Sequence, residues 1–182
     1  MRLLLHICCA PCTICPLRVL RSREADVTGY FFNPNIHPFM EYRKRSETLR
    51  DYAEQAGLKV IWHEPYEMET YLRAVVYHEK DRCRICYHMR LSRTARLAAD
   101  EGFNAFSSTL LYSKYQKHDL IRTVGEQLGR EHNISFLYDD FRAGWQEGVS
   151  ASREMGLYRQ PYCGCIYSEQ ERYNTIGALK RR

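Results

Sequence analysis

Cysteines are the residues of this chain best suited to chemistry. Its 182 residues include eight, in three short segments far apart along the chain: Cys8-Cys9-Ala-Pro-Cys12-Thr-Ile-Cys15, Cys83-Arg-Ile-Cys86 and Cys163-Gly-Cys165. Two thiolates three residues apart can bind one metal ion, or one corner of an iron–sulfur cluster, from a single turn of chain. In a reducing cytosol such cysteines are more often metal-binding or catalytic than parts of a disulfide framework. The spacing therefore predicts metal or redox chemistry.

Two simpler interpretations stay open on spacing alone. Cys9-Ala-Pro-Cys12, placed between a strand and a helix, has the form of a thioredoxin-like dithiol whose first thiolate is stabilised by the helix N-terminus. Cys12 and Cys15 together with Cys83 and Cys86 have the form of a structural four-cysteine zinc site, here in an RNA-binding module. The dithiol would use two of the eight cysteines and the zinc site four.

The segment Cys163-Gly164-Cys165 has the least common spacing of the three. Its glycine lets the backbone bend so that the two sulfurs approach each other. They would then form an easily reduced disulfide or chelate one metal ion. Two buried cysteines beside a turn are the simpler alternative.

Polar residues in predicted loops are candidates for substrate binding. Hydroxyl, amide and guanidinium groups bind phosphate, ribose and base edges, although turn chemistry, helix capping and ion pairing explain such residues equally well. The candidates are Asn35, Tyr112, Gln116, His118, Asp140, Arg142, Arg159 and Gln160. The fourteen tyrosines of the chain suit base stacking, and most of them are expected in the core.

Basic residues are distributed unevenly, although the formal net charge of +5 is modest. They concentrate in residues 80–96, in Arg43-Lys44-Arg45 and in Lys180-Arg181-Arg182. A solvated helix face or a charged tail explains any one of these groups. A basic helix that also carries a cysteine pair favours an anionic substrate close to the metal, such as a polynucleotide.

No apolar run is long enough to span a bilayer. The N-terminal apolar stretch is too short for a secretion signal and leads directly into Pro11 and the first cysteines, so we interpret it as the first strand. The sequence thus predicts a cytoplasmic protein with no membrane contact, folded as a single domain over residues 1–182.

Hydrophobic periodicity predicts strands that alternate with helices. The strands are expected over 2–7, 27–32, 58–62, 103–107 and 134–138, and the helices over 16–23, 38–56, 67–76, 86–100, 116–129, 145–155 and from 168 onward. This order predicts an α/β fold, Rossmann-like or HUP-like, with a mostly parallel sheet of about five strands flanked by helices and a helical, cysteine-bearing C-terminal part. Ligand sites of such sheets lie beyond the carboxyl ends of the strands, which is where the first cysteine segment falls.

Five segments of the sequence, taken together, resemble one family. They are similar, in the same order, to the signatures of the QueH-type epoxyqueuosine reductases: Leu4-Leu-His-Ile-Cys-Cys-Ala-Pro-Cys12, Asn33-Pro-Asn-Ile-His-Pro38, Arg82-Cys-Arg-Ile-Cys-Tyr-His-Met-Arg-Leu91, Asp140-Phe-Arg142 and Tyr158-Arg-Gln-Pro-Tyr-Cys-Gly-Cys165. The resemblance implies reduction of the epoxide of epoxyqueuosine, at the wobble position of certain tRNAs, to the cyclopentene of queuosine. The implied partners are that tRNA and an unidentified electron donor.

The same resemblance implies the cofactors and their ligands. It implies a 4Fe–4S cluster, independent of cobalamin, held by Cys8, Cys9, Cys83 and Cys86. Cys163 and Cys165 are implied as the catalytic, redox-active pair or, with Cys12, as ligands of a second metal ion, iron or zinc. Cys15 is an addition to the family pattern.

Overall fold

The sheet has five strands, all parallel, in the order β3-β2-β1-β4-β5. The computed structural model describes residues 1–179, with side chains described through residue 174, so the predicted basic group at 180–182 lies outside the described residues. The strands are β1 (Arg2–His6), β2 (Asp26–Phe31), β3 (Val60–Trp62), β4 (Ala105–Ser108) and β5 (Ser135–Phe136). The predicted α/β fold with a parallel sheet of about five strands is confirmed.

Helices connect the strands and close the chain. They are α1 (Ala10–Ser22), α2 (Phe39–Gln55), α3 (Met68–Val75), α4 (Arg82–Asp100), α5 (His118–Glu131), α6 (Trp145–Glu154) and α7 (Ile166–Leu179). α1 contacts α2 and α6, whereas α4 contacts α3 and α5. The helices thus form two groups. Right-handed crossover connections place helices in this way on the two faces of a parallel sheet. Within residues 1–179, no helix combines the length and apolarity needed to cross a membrane.

Two helices start four or more residues earlier than predicted, and both shifts move cysteines onto helices. α1 begins at Ala10 rather than near residue 16, because Pro11 occupies the first turn, where no backbone N–H is needed. α4 begins at Arg82, so Cys83 and Cys86 lie on successive turns of one helix. The fifth strand is also shorter than predicted, at two residues.

The central strand β1 organises the core. Leu3, Leu4 and Leu5 are each 0 % exposed, because helices cover both faces of the sheet. His6, at the end of β1, is equally buried and contacts the Ser108 hydroxyl (2.9 Å) and the Phe32 carbonyl (3.1 Å). These contacts link the carboxyl ends of β1, β2 and β4. The loops that leave these ends carry the first cysteines, Asn33 to His37, and Thr109.

Candidate metal centre

Three cysteine sulfurs meet directly beyond the end of β1. The Sγ atoms of Cys8, Cys9 and Cys12 lie within 4.8 Å of one another, and all three residues are buried. The Cys8 and Cys9 sulfurs are 3.7 Å apart. Two thiolates bound to one tetrahedral ion at about 2.3 Å lie about 3.8 Å apart. The donor set and its spacing in this arrangement therefore fit a thiophilic metal ion. The thiolates of a four-iron cluster lie farther apart, so the sulfurs of Cys8 and Cys9 would have to separate in order to hold one.

One negative charge is favoured on this cysteine trio. Hydrogen bonds from Cys12 and Cys9 hold the pKa of the Cys8 thiol well below its usual range, and the Thr109 hydroxyl adds a contact of 3.4 Å. Burial raises the pKa of Cys9, and hydrogen bonding to Cys8 raises that of Cys12. The thiolate form is thus favoured at Cys8 and disfavoured at Cys9 and Cys12. A cation would release the remaining protons, since metal ligation requires deprotonated sulfur.

A second group of cysteines joins α4 to the C-terminal segment. Cys86 and Cys165 are buried in one apolar cluster with Tyr71 and Val75 of α3. Burial raises the pKa of Cys86 to about 12. Cys163, by contrast, is exposed, and Cys83 is half-buried. Cys163 thus keeps exposed surface as a residue whereas Cys165 is enclosed by the core, but atoms around the Cys163 sulfur crowd it enough that burial raises the pKa of its thiol.

The side chain of Arg90 lies between the two cysteine groups and is 2 % exposed. Its Nη2 donates to the Cys86 Sγ at 3.0 Å, and its Nη1 approaches the Asn33 Oδ1 at 3.5 Å. Burial acts to lower its pKa, but the charges of nearby groups, chiefly Cys86, Cys163 and Cys8, raise it above the usual value. Among the residues described, no carboxylate lies within 4.0 Å of this guanidinium. The cysteine sulfurs are thus the anions available to it.

A second buried arginine fixes the Cys163-Gly-Cys165 segment. Arg45 is 1 % exposed, donates to the carbonyls of Cys163 (2.8 Å) and Tyr162 (3.1 Å), and pairs with Glu41 at 2.7 Å. Gly164 has φ +149°, and its added Cβ would lie 3.2 Å from the Ile36 side chain. Such a backbone conformation favours glycine. The backbone between the two cysteines therefore bends in a conformation that depends on that glycine, while the approach of the two sulfurs stays a prediction.

Three predicted substrate-binding residues lie at the cysteines. Gln160 donates to the sulfurs of Cys9 (2.9 Å) and Cys12 (3.5 Å), and Gln116 donates to the sulfur of Cys163 (3.0 Å). Asn35 is 1 % exposed and approaches Gly164. In the described part of the chain, the Asn35 Oδ1 and the Gln160 Oε1 are buried without a hydrogen-bond partner. Buried polar atoms are nearly always paired, so these two acceptors point to a missing donor at the site.

The other five predicted residues make structural contacts. The Tyr112 hydroxyl donates to the Trp145 carbonyl (3.0 Å), and His118 is buried against the Ser113 carbonyl (3.2 Å). Arg142 donates two hydrogen bonds, of 2.7 and 2.6 Å, to the carboxylate of Asp140. Arg159 donates to the Val149 carbonyl and the Ser152 hydroxyl. In the structure described, none of these three residues contacts a cysteine sulfur.

Arg45 and Arg90 were not predicted as site residues. Both belong to basic groups that the sequence suggested were solvated faces or polynucleotide contacts, and the structure buries both. A signal was present for each, because Arg45 follows Glu41, and Arg90 follows Cys86, by the four residues that place side chains on one helix face. The charge pattern alone does not show which face of a helix is covered by other elements of the fold.

Cys15 stands apart from the other first-segment cysteines. It is 3 % exposed, and its sulfur faces Gly144, where an added Cβ would lie only 2.1 Å away. Burial raises the pKa of its thiol. Its sulfur does not belong to the group formed by Cys8, Cys9 and Cys12. A packing role follows from these contacts.

Comparison with known proteins places the chain in a family. Residues 3–171 match the family described as "Epoxyqueuosine reductase QueH". A relative of that description from Dehalococcoides mccartyi is 41% identical over 172 residues, which cover 94% of each chain. Another from Thermotoga maritima is 35% identical over 188 residues, covering 98% of this chain and 96% of the relative.

The fold is also found in a solved structure outside these relatives. A predicted subunit of a tRNA methyltransferase from Methanocaldococcus jannaschii aligns with a TM-score of 0.54, over 86% of this chain and 89% of that one, at 12% identity. At this identity the likeness concerns the fold alone. The family match over nearly the whole length, together with the close relatives, shows that the chain belongs to the QueH family of epoxyqueuosine reductases, oxidoreductases of tRNA queuosine modification.

Proposed function

We propose that this chain reduces the epoxide of epoxyqueuosine, at the wobble position of tRNA, to the cyclopentene of queuosine, the last step of queuosine synthesis. The reaction consumes two electrons and two protons, breaks both C–O bonds of the epoxide, forms a carbon–carbon double bond and releases water. The observation that carries the proposal is that the buried charge of Arg90 interacts with a cysteine from each of the three segments, Cys8, Cys86 and Cys163, in a member of this family.

The cofactor in this proposal is a 4Fe–4S cluster held by Cys8, Cys9, Cys83 and Cys86. Such a cluster, when bound, supplies electrons one at a time. Thiols are the donors it requires, and two of these four sulfurs, those of Cys8 and Cys86, lie near the guanidinium of Arg90. The cationic side chain would balance the negative charge that four thiolates bring to a buried site.

Cys163 and Cys165 are proposed as the catalytic pair. As a dithiol they give up two electrons and two protons together and become a disulfide, which the electron donor then reduces. The position of Cys163 at the surface and the 3.0 Å contact from Gln116 support this role, since the residue borders solvent while a side-chain amide orients its sulfur. The alternative is that both bind a second iron or zinc ion with Cys12, which already lies beside Cys8 and Cys9.

The polar residues at the site hold the substrate in this proposal. Gln160 and Asn35 offer buried acceptor oxygens without a partner in the described structure, which suit donors of the modified nucleoside. Gln116 contacts the sulfur of Cys163 at 3.0 Å. Asp140, Arg142, Arg159, Tyr112 and His118 would support the loops around the site. The partners are tRNA, whose phosphates suit the net charge of +5, and an electron donor, all in the cytoplasm.

Anaerobic reconstitution with iron and sulfide tests the cofactor. We expect a brown protein, with iron lost in Cys8→Ser, Cys9→Ser, Cys83→Ser and Cys86→Ser and retained in the matched control Cys15→Ser. A colourless protein that holds only zinc would favour the RNA-binding module. Retention of iron in Cys83→Ser, with loss in Cys12→Ser, would replace the proposed ligand set by one built on the trio.

Turnover of epoxyqueuosine tRNA by the loaded protein tests the reaction. We expect Cys163→Ser and Cys165→Ser to keep the cluster spectrum and to lose reduction. Thiol counting before and after a single turnover separates the two roles of the pair, because a redox dithiol loses two free thiols and a metal-bound pair loses none. Full activity in both variants would remove the pair from the mechanism, and iron-independent turnover would favour a thioredoxin-like dithiol.

A further inference from the structure

An exposed aromatic and cationic cluster lies beside the cysteine site. We call it the stacking platform and define it as Lys114, Tyr115 and Trp145. Tyr115 is 74 % exposed, and its ring stands edge-on to Trp145 with centroids 5.7 Å apart. The Lys114 ammonium lies 5.4 Å from the centroid of Tyr115 and 5.3 Å from that of Trp145. A large apolar ring left open to water beside a second ring is a common feature of binding surfaces.

The underside of the platform is firmly held. The Trp145 ring stacks on buried Tyr112 with centroids 5.2 Å apart, and the Tyr112 hydroxyl donates to the Trp145 carbonyl. The Ser113 hydroxyl accepts the Tyr115 N–H at 3.3 Å, which fixes the turn that carries Lys114 and Tyr115. Because one face of the aromatic pair is anchored, a ligand that stacks on the open face would not have to order the protein first.

The platform is adjacent to the sulfur proposed to meet the substrate. Gln116, next in the chain after Tyr115, donates to the Cys163 Sγ at 3.0 Å. Lys117 follows, and neither it nor Lys114 has a carboxylate within 4.0 Å among the side chains described. The ammonium groups of Lys114 and Lys117 and the open face of Tyr115 thus lie within two residues of Gln116, which contacts the Cys163 sulfur.

We propose that the stacking platform binds an unpaired RNA base next to the nucleotide that is reduced, with Lys114 and Lys117 close to the flanking phosphates. This inference rests on the proposed function, because that function brings a single-stranded RNA loop to Cys163. Proteins bind unpaired bases by stacking them on aromatic side chains beside cationic groups. The charge of the surface favours a polynucleotide over a protein electron donor.

Binding of a synthetic anticodon stem-loop RNA to the reconstituted protein tests the proposal. We expect Tyr115→Ala to raise the Kd roughly 5- to 150-fold, the effect of losing one aromatic–base stack, and Tyr115→Phe to restore it. The matched control is Tyr77→Ala, since Tyr77 is 91 % exposed and lies in the loop after α3. RNA should also quench tryptophan emission in the native protein and lose most of that effect in Trp145→Phe.

The outcomes separate this proposal from the proposed function. Equal Kd values for the native protein and Tyr115→Ala, or equal losses for Tyr115→Ala and Tyr77→Ala, would overturn the platform even if the native protein reduces epoxyqueuosine tRNA. Normal RNA binding with slowed reduction by a protein electron donor would assign the platform to that donor and also overturn the proposal. Tight, Tyr115-dependent RNA binding without turnover would support the platform and refute the reductase activity.

Discussion

Replacement of Arg90 by methionine should weaken metal retention without destabilising the metal-free protein. The guanidinium is buried, donates to the Cys86 sulfur at 3.0 Å and has no carboxylate partner among the described residues. When thiolates surround a bound metal, this contact becomes a charge-assisted hydrogen bond, which contributes about 1.5–3 kcal/mol. Loss of a group that supports metal ligands costs about 10- to 100-fold in affinity, or about 1.4–2.7 kcal/mol, so the two values agree.

The free energy of unfolding of the metal-free protein should not be lowered by the same substitution. Without metal, most of the surrounding thiols are protonated, so burial of the guanidinium is only partly compensated. Methionine is unbranched, apolar and uncharged, although shorter than arginine, and replacing buried charges by apolar groups is often neutral or stabilising. We therefore expect the free energy of unfolding of metal-free Arg90→Met to equal or exceed that of the native protein.

Two measurements check this prediction. The first is the anaerobic decay of iron–sulfur absorbance in excess chelator, which we expect to be about 10- to 100-fold faster in Arg90→Met if cluster loss follows affinity. The second is urea unfolding of the metal-free proteins. The control is Arg96→Met on the same helix, because the Arg96 side chain is 69 % exposed. Unchanged cluster decay, or a metal-free variant several kcal/mol less stable, would refute the assignment of Arg90 to the sulfurs.

Three further perturbations follow from contacts near the site. Gly144→Ala places a Cβ 2.1 Å from the Cys15 sulfur and should lower the free energy of unfolding, measured in urea, by about 1–3 kcal/mol. Adding Cys15→Ala should recover much of this loss and leave the iron content unchanged. Additive losses of stability in the double variant would contradict the packing role of Cys15. Glu41→Gln removes the carboxylate from buried Arg45 and should cost about 3–5 kcal/mol, so an unchanged urea midpoint would argue against that pair. The hydrogen bond from Arg142 lowers the pKa of Asp140 to about 2, so this pair stabilises the fold above pH 4 and that contribution is lost as the pH falls through 2. Since both side chains are 43% exposed, Asp140→Asn should cost under about 1 kcal/mol in the free energy of unfolding at pH 7. A larger loss would show a stronger pair.

The alternation of strands and helices could be predicted because hydrophobic periodicity is local. β1 and α4 each bury one contiguous pattern of apolar residues, and that pattern is visible in the sequence alone. Helix starts were harder to predict at Pro11 and at Arg82. Proline at the first turn resembles a turn residue, and polar Arg82 at the start of α4 interrupts the apolar pattern. The predicted helices therefore left out Cys12, Cys15 and Cys83.

The contacts of the site residues depended on the tertiary structure. Gln160 reaches Cys9 from 151 residues away, and Arg45 holds the Cys163 carbonyl across 118 residues. No local pattern reports such contacts, because they form only when the C-terminal segment folds back over the carboxyl ends of the strands. Asp140 and Arg142 show the converse, since their motif suggested substrate binding and the structure pairs them with each other.

The class of fold could be predicted from the alternating periodicity of the sequence, and metal or redox chemistry was predicted from the spacings of its eight cysteines. The sequence also determined the bend at Gly164, because only the absence of a side chain makes that backbone conformation easy. The tertiary structure decided which cysteine sulfurs approach each other and which arginines lose their solvent. Those outcomes follow from the parallel sheet, which brings the ends of distant strands together and buries whatever the loops there carry.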